Sequence, residues 1–330
     1  MASVKDVAAR AGVSVGTVSR VINGYADVRP EMRERVERAM RELAYRPNQL
    51  ARNFRRQTTQ TIGMVVPDIT APFFADLVKQ SEAVAREAGW SVLIGNSDNR
   101  VELEDEYIAR LRDRGIDGLV LVPSSDEARL AREEASRIVV VDQELEGLDF
   151  VATDHEAGAR EAVEHLIALG HRRIACIGGY QTSSRQRLAG YRAVMAPLLE
   201  PERIEAYVRI EPVDDQWGMH AAEQLLDLPE PPTAIFATSD QQAVGVLRAC
   251  ADRDLRVPED LSVVGFDDIP LARLVQPRLT TIRQQTSVLG RLAISRLLER
   301  LDDPWAEPVR RVVPGELLLR RSSGPAPAGT

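Results

Sequence analysis

The 330-residue sequence predicts a small all-α head joined to an α/β core of two doubly wound parallel-sheet lobes. Three observations carry that expectation. The chain exceeds one ordinary domain, and its 44% apolar, 28% charged composition is that of a globular protein, not of collagen, a disulfide scaffold or a disordered chain. From Thr61 onward, short Val/Ile-rich runs alternate with amphipathic stretches in two successive blocks. Charge is also partitioned: residues 1–56 hold twelve Lys/Arg against six Asp/Glu, a net of +6, whereas the remainder carries −14. A basic head on an acidic body implies that only the head meets a polyanion.

The head reads as three helices. Val7, Ala8 and Ala11 make the apolar stripe of the first, and Gly12 permits a turn, with Val13 placed to plug the core. Ser14 suits the N-cap of a second helix whose buried stripe is Val18, Val21 and Ile22. A third begins at Pro30–Glu31, uses Val36, Ala39, Met40 and Leu43, and stops at Arg46–Pro47. Two short helices across a glycine turn with a supporting third make a helix-turn-helix unit. Such a unit presents the start of its second helix to the major groove, here Val15, Gly16 and Arg20. Arg20 has the geometry to donate two hydrogen bonds to guanine, and Val15 offers apolar contact. Ser3, Ser14, Thr17, Ser19 and Asn23 are short donors suited to phosphate oxygens. The bland alternative is a three-helix bundle with a solvated basic face. Residues 47–58, with Leu50 and Phe54 at i, i+4 spacing, are too short for a stable isolated helix. Phe54, beside Arg52, Arg55 and Arg56, either wedges between base steps in the minor groove or packs on the body.

In the core, strands are expected at 62–66, 91–95, 117–122 and 137–142, with helices near 72–88, 99–114 and 126–135. The second block has strands at 150–153, 173–178, 207–210, 233–238 and 261–266, with helices near 155–169, 184–199, 217–226 and 241–253. A late helix 286–301 and strand 309–313 lack a partner block. Ligands of open α/β sheets bind beyond the carboxyl ends of the strands, which yields a pocket list. From the first lobe come Asp68, Phe73, Phe74, Asn96, Asp98, Ser124 and Asp142; from the second come Ser183, Ser184, Arg185, Arg187, Ser239, Asp240, Asp267 and Asp268. Carboxylates, hydroxyls, arginine and aromatic faces fit a neutral polyhydroxylated ligand, whereas a phosphorylated one would want glycine-rich amide nests. Several positions have structural readings too: Asp240 as an N-cap, Asp68 and Asp98 as turn residues, Arg187 and Asp267 as a pair, Trp217 as packing, His171 as a helix-end cap. His155, His165 and His220 show no ligand spacing.

The segments VKDVAARAGVSVGTVSRVING, YRPNQLARNF, EHLIALGHRRIACIGG, SSRQRLAGYRAVM, ATSDQQAVGVLRA, RVPEDLSVVGFDDIPLA and LTTIRQ together resemble the LacI/GalR family of bacterial transcription regulators along nearly the whole chain. The resemblance implies a helix-turn-helix head (1–46), a hinge helix and linker (47–59), and a periplasmic-binding-protein-like core. It implies interleaved lobes, 60–153 with 286–313 and 154–285 with 314–330, and homodimers that grip pseudopalindromic double-stranded operator DNA. Carried over by position, Val15, Gly16 and Arg20 fall on base-reading sites, Asn48 and Ala51 lie in the hinge segment expected to meet DNA, and Phe54 stands where a wedge leucine is usual. Phe73, Arg187 and Asp267 match recurrent effector contacts. Ser239 replaces a frequent asparagine, and Gln143 replaces an arginine or aromatic residue common after Asp142. The tail RRSSGPAPAGT carries no leucine heptad, so a dimer is expected without a tetramerising helix.

A ligand-responsive repressor follows, with a sugar effector favoured over a purine or nucleoside, no cofactor and no metal. A transport or chemotaxis sugar-binding protein would need export and no basic head; the amino terminus lacks a secretory pattern, and no run of about 18 apolar residues offers a membrane span. The two cysteines, Cys176 and Cys250, are far apart, which fits a reduced cytoplasmic protein. An α/β enzyme would need a nucleophile elbow or cofactor loop, and neither G-x-S-x-G nor a G-x-G-x-x-G after the first strand is present.

Overall fold

In the computed structural model of the chain, residues 2–22, 25, 27–45, 58–124 and 136–327 are described. They form two units, 1–59 and 60–330.

The first unit contains α1 (Val4–Ala11), α2 (Val15–Ile22) and α3 (Pro30–Glu42). A capping box starts α1: Ser3 Oγ accepts from Asp6 N, while Ser3 N donates to the Asp6 carboxylate at 2.7 Å. Gly12 ends it in the left-handed region (φ 63°), and its N–H bonds the carbonyls of Ala8 and Ala9. Ser14 Oγ accepts from Thr17 N and so starts α2. The stripes converge as the sequence predicts: Val7, Ala8, Ala11, Val18, Val21, Val28, Val36 and Ala39 form one buried cluster. Met40 and Leu43 pack only partly buried at its edge. The third helix stops at Glu42, short of the expected Arg46–Pro47.

The second unit holds two six-stranded sheets. The first contains β1 (Thr61–Val66), β2 (Ser91–Asn96), β3 (Gly118–Leu121), β4 (Ile138–Val141), β5 (Asp149–Thr153) and β11 (Arg310–Val313), in the order β11-β5-β4-β3-β1-β2, all parallel. The second contains β6 (Ile174–Gly178), β7 (Val208–Ile210), β8 (Ala234–Ala237), β9 (Ser262–Asp267), β10 (Thr280–Arg283) and β12 (Glu316–Leu318). Its order is β12-β10-β9-β8-β6-β7, parallel except for β12 against β10.

Helices cover both faces of the central strands, which is why β3, β4, β6 and β8 are apolar and buried along their whole length instead of alternating. Along β1, Ile62, Met64 and Val66 face the cluster under α4 (Pro72–Glu87) and α11 (Thr286–Asp302), while Val65 joins the cluster under α5 (Val101–Asp113). In the second sheet, α6 (His155–Ala168) and α7 (Thr182–Met195) cover one face. The other is covered by α9 (Asp215–Leu226) and α10 (Asp240–Asp252). The late helix α11 packs on β3, β4 and β5 of the first sheet, and β11 pairs with β5, so the chain returns to the first sheet before ending on the second.

Four elements lay outside the sequence reading: α8 (Pro201–Ala206), a 3₁₀ turn at Pro270–Arg273, and the strands β10 and β12. The expected helix at 126–135 falls outside the described residues. No helix among the described residues is long and apolar enough to cross a membrane.

Candidate nucleic-acid interface and effector cleft

In the head, packing decides which side chains of α2 are available. Val18 and Val21 point into the core, so the first turn of α2 and the residues flanking that stripe face out. Val15 is 46% exposed, an apolar side chain left in water at the tip of the helix. Gly16 and Arg20 are exposed, and Thr17 and Ser19 are half-buried beside them. The Arg20 guanidinium makes a loose 3.5 Å pair with exposed Asp27, the kind of pair that holds a side chain weakly. Ser3 and Ser14 are exposed but already serve as helix caps, so any phosphate contact from them would share the hydroxyl. Asn23, Asn48, Ala51 and Phe54 lie outside the described residues.

In the core, the carboxyl ends of both sheets open on one cavity of about 270 Å³. Phe73 and Phe74 at the start of α4, Ser124 after β3 and Asp142 after β4 wall it from the first sheet. Ser183, Arg187, Ser239 and Asp267 wall it from the second. The two phenyl rings meet edge to face, 5.2 Å between centroids. Asp68, Ser184 and Arg185 also line the cavity. Asp68 is in addition a turn residue: its carboxylate accepts from Thr70 N and Oγ1 at 2.8 and 2.7 Å.

A buried chain of hydrogen bonds joins the two walls. Arg187 Nε donates to His155 Nδ1 (3.2 Å), so His155 keeps its proton on Nε2 and donates it to Asp142 Oδ1 (2.9 Å). At its other end, Arg187 donates to the Thr238 carbonyl and to Asp267 Oδ1 (3.2 Å). Its guanidinium lies over the Phe266 ring, 3.8 Å from the centroid. Burial raises the Asp142 carboxyl, but His155, Arg187 and the Ser183 hydroxyl outweigh that and hold it below the usual range. Burial, helped by the Arg187 charge, lowers His155 in spite of Asp142, which agrees with a neutral ring. Asp267 behaves oppositely: burial pushes it up to about 6 against the pull of Arg187 and Gln284. Both carboxylates sit on left-handed backbone, φ 72° at Asp142 and 118° at Asp267, a strain that concentrates where function requires it.

Four residues of the expected pocket, Asn96, Asp98, Asp240 and Asp268, do not line the cavity. Asp240 is fully buried and turned away from the cavity: Thr281 Oγ1 and Ile269 N donate to it at 2.6 and 2.9 Å. Burial and the neighbouring Asp267 push it well above the carboxylate range. It is not the cap of α10 either, because Ser239 Oγ accepts from Gln242 N. Asn96 is likewise spent on structure, accepting from Ile69 N at 2.6 Å and donating to Asp98, and neither lines the cavity. Asp268 is buried against Arg273, Arg283 and Arg320. His171 closes the end of α6 as expected, through its backbone N–H to the Leu166 carbonyl (3.1 Å), while its ring bonds Thr233, Ser262 and Gly324 in the core. Trp217 is 43% exposed, edge-on to His220 and outside the cavity. Sequence reasoning missed His155 and Gln284. His155 stands two residues past β5, where the strand-end rule would have found it; Gln284 follows β10, a strand not foreseen.

Comparison with known proteins agrees with this architecture. Residues 3–48 match the model for bacterial regulatory proteins of the lacI family, and 163–323 match the periplasmic binding protein-like domain. The HTH-type transcriptional repressor CytR of Escherichia coli K12 is 36% identical over 337 residues, covering 99% of this chain and 97% of that protein. A lac repressor dimer bound to operator and the anti-inducer ONPF superposes with a TM-score of 0.84 at 30% identity, covering 98% and 99% of the two chains. The transcriptional regulator CelR in complex with cellobiose gives 0.72 at 32% identity, covering 98% and 100%. With a helix-turn-helix head, two parallel-sheet lobes and this extent of identity, the chain belongs to the lacI family of bacterial regulatory proteins.

Proposed function

We propose that the chain is a repressor whose affinity for operator DNA is set by a small sugar held between the two core lobes. The observation that carries this reading is the pairing, in one chain, of an outward-facing α2 tip with a polar cavity walled by both sheets. Val15, Gly16 and Arg20 read bases, Ser3, Ser14, Thr17, Ser19 and Asn23 fix register on phosphates, and Asn48, Ala51 and Phe54 belong to a hinge segment that orders against the minor groove. Two heads brought together by a homodimer reach two half-sites; the operator-bound lac repressor dimer supports that assembly. The protein acts in the cytoplasm, on DNA, as a regulator and not as an enzyme.

In the cleft, Phe73 and Phe74 offer apolar faces to a sugar ring, while Asp142, Ser124, Ser183, Ser239, Arg187 and Asp267 offer acceptors and donors to its hydroxyls. The cellobiose complex of CelR favours a sugar over a nucleoside, as does the surplus of carboxylates. Because the Asp142–His155–Arg187–Asp267 chain runs from one wall to the other, a hydroxyl inserted at either carboxylate alters the bond between lobes. The ligand changes DNA affinity only as far as it binds two lobe arrangements unequally. A thermal-shift screen of sugars and nucleosides on the full chain tests the reading: a sugar should raise the melting temperature, and a nucleoside-only response would refute the sugar assignment.

A further inference from the structure

The cleft contains two discords. Among the described residues, Gln143 Nε2 and Gln284 Oε1 are buried with no hydrogen-bond partner, and both side chains line the cavity. Gln143 is 7% exposed and Gln284 3% exposed. The remaining atoms of this kind have other settings. Ser81 and Thr153 do not line the cavity, and Asp149 Oδ2 and Arg300 Nε form an ion pair with each other at 3.0 Å. A buried amide end without a partner lowers stability, and such groups persist in native proteins where function needs them.

The two amides come from opposite walls. Gln143 follows Asp142 on the turn that leaves β4 of the first sheet. Gln284 leaves β10 of the second sheet, and its Nε2 is already held by Asp267 Oδ1 at 2.7 Å, which fixes Oε1 as an acceptor. We propose that Gln143 and Gln284 are the residues that read ligand identity. Gln143 donates to an acceptor on the ligand, and Gln284 accepts from a donor on it. The ligand is therefore an uncharged polyol with hydroxyls directed at both walls. A carboxylate or phosphate beside Gln284 would meet the acceptor Oε1 and the Asp267 carboxylate, and the Arg187 guanidinium nearby is already shared among Asp267, His155 and the Thr238 carbonyl. A cavity of about 270 Å³ suits a ligand of monosaccharide scale. The assignment rests on the cleft being the effector site.

Calorimetric titration tests it on the full-length protein, wild type, Gln143→Leu and Gln284→Leu, with D-ribose, D-galactose and cellobiose, then with the monodeoxy derivatives of whichever binds. Unliganded Gln143→Leu should melt no lower than wild type, since an orphaned donor is replaced by an apolar group. It should nevertheless bind the sugar about 10- to 100-fold more weakly. One monodeoxy derivative, weakened by a similar factor in wild type, should bind Gln143→Leu as well as the parent sugar does. Gln284→Leu should lose discrimination at a different hydroxyl. A Gln143→Leu protein with wild-type affinity and an unchanged ranking of the deoxy series overturns the assignment and leaves the effector site standing. A wild-type chain that binds none of the three sugars overturns the effector reading and this assignment with it.

Discussion

Arg187→Met removes the centre of the wall-to-wall chain while keeping an apolar stem over Phe266. Arg187 is 5% exposed and donates to His155, the Thr238 carbonyl and Asp267. Taking one partner from a buried ion pair costs about 3–5 kcal/mol, because the other charge stays buried. At about 2–4 °C per kcal/mol, the core should melt roughly 6–20 °C lower at pH 7.5. The sign of the pH dependence follows from Asp267. Its carboxyl titrates near 6 in the fold against an ordinary 3.8, so it takes a proton more readily folded than unfolded, and stability falls as pH rises from about 4 to about 6. Without Arg187, which pulls it down, its proton affinity rises further, each tenfold being worth about 1.4 kcal/mol. The penalty should therefore shrink clearly at pH 5.5, where the orphaned carboxylate is neutralised. Differential scanning calorimetry at both pH values reads it. A loss below 2 °C, or one of equal size at both, would refute the coupling.

Other expectations concern the same two sites and the scaffold. Arg20→Ala should weaken operator binding by about 1–3 kcal/mol and relax preference at one base pair, measured by anisotropy on a set of single-base variants; an unchanged preference removes it as a base reader. Sugar affinity should fall as pH drops from 7.5 through 6, because a protonated Asp267 no longer accepts freely; titration at 7.5 and 5.5 checks this, and a flat profile excludes Asp267 from the contact. Gly245→Ala should destabilise the core by about 1–3 kcal/mol, since a Cβ there meets the Asp215 carbonyl and lies 2.5 Å from Met219 N; an unchanged melting temperature would mean that α9 and α10 separate easily.

The repeat of apolar runs and amphipathic helices was legible because parallel strands buried on both faces cannot alternate, so each run stands out as a block. The head was legible for a similar reason: stripe, cap and glycine turn all agree at Val7, Ser14 and Gly12. Short or irregular elements were not. The three-residue β12 takes its place from pairing with β10, and α8 is one turn and a half long. The strand-end rule gathered Phe73, Asp142, Arg187 and Asp267 around one cavity but could not orient side chains. Ser239 and Asp240 are neighbours, yet one faces the cleft and the other is drawn inward by Thr281 and Ile269, partners about thirty to forty residues away. His155 lay within reach of the strand-end rule, two residues past β5, but its bonds to Asp142 and Arg187 come only from the fold.

Anisotropy of the full-length protein on a duplex selected from a random pool, titrated with a sugar that binds the cleft, tests the division of labour between head and core most directly. A saturating sugar should change the DNA dissociation constant by at least about fivefold, and Asp267→Ala should lose that response while keeping ligand-free DNA affinity. An affinity that stays constant at saturating sugar, or a response that survives in Asp267→Ala, would contradict control of the head by the cleft.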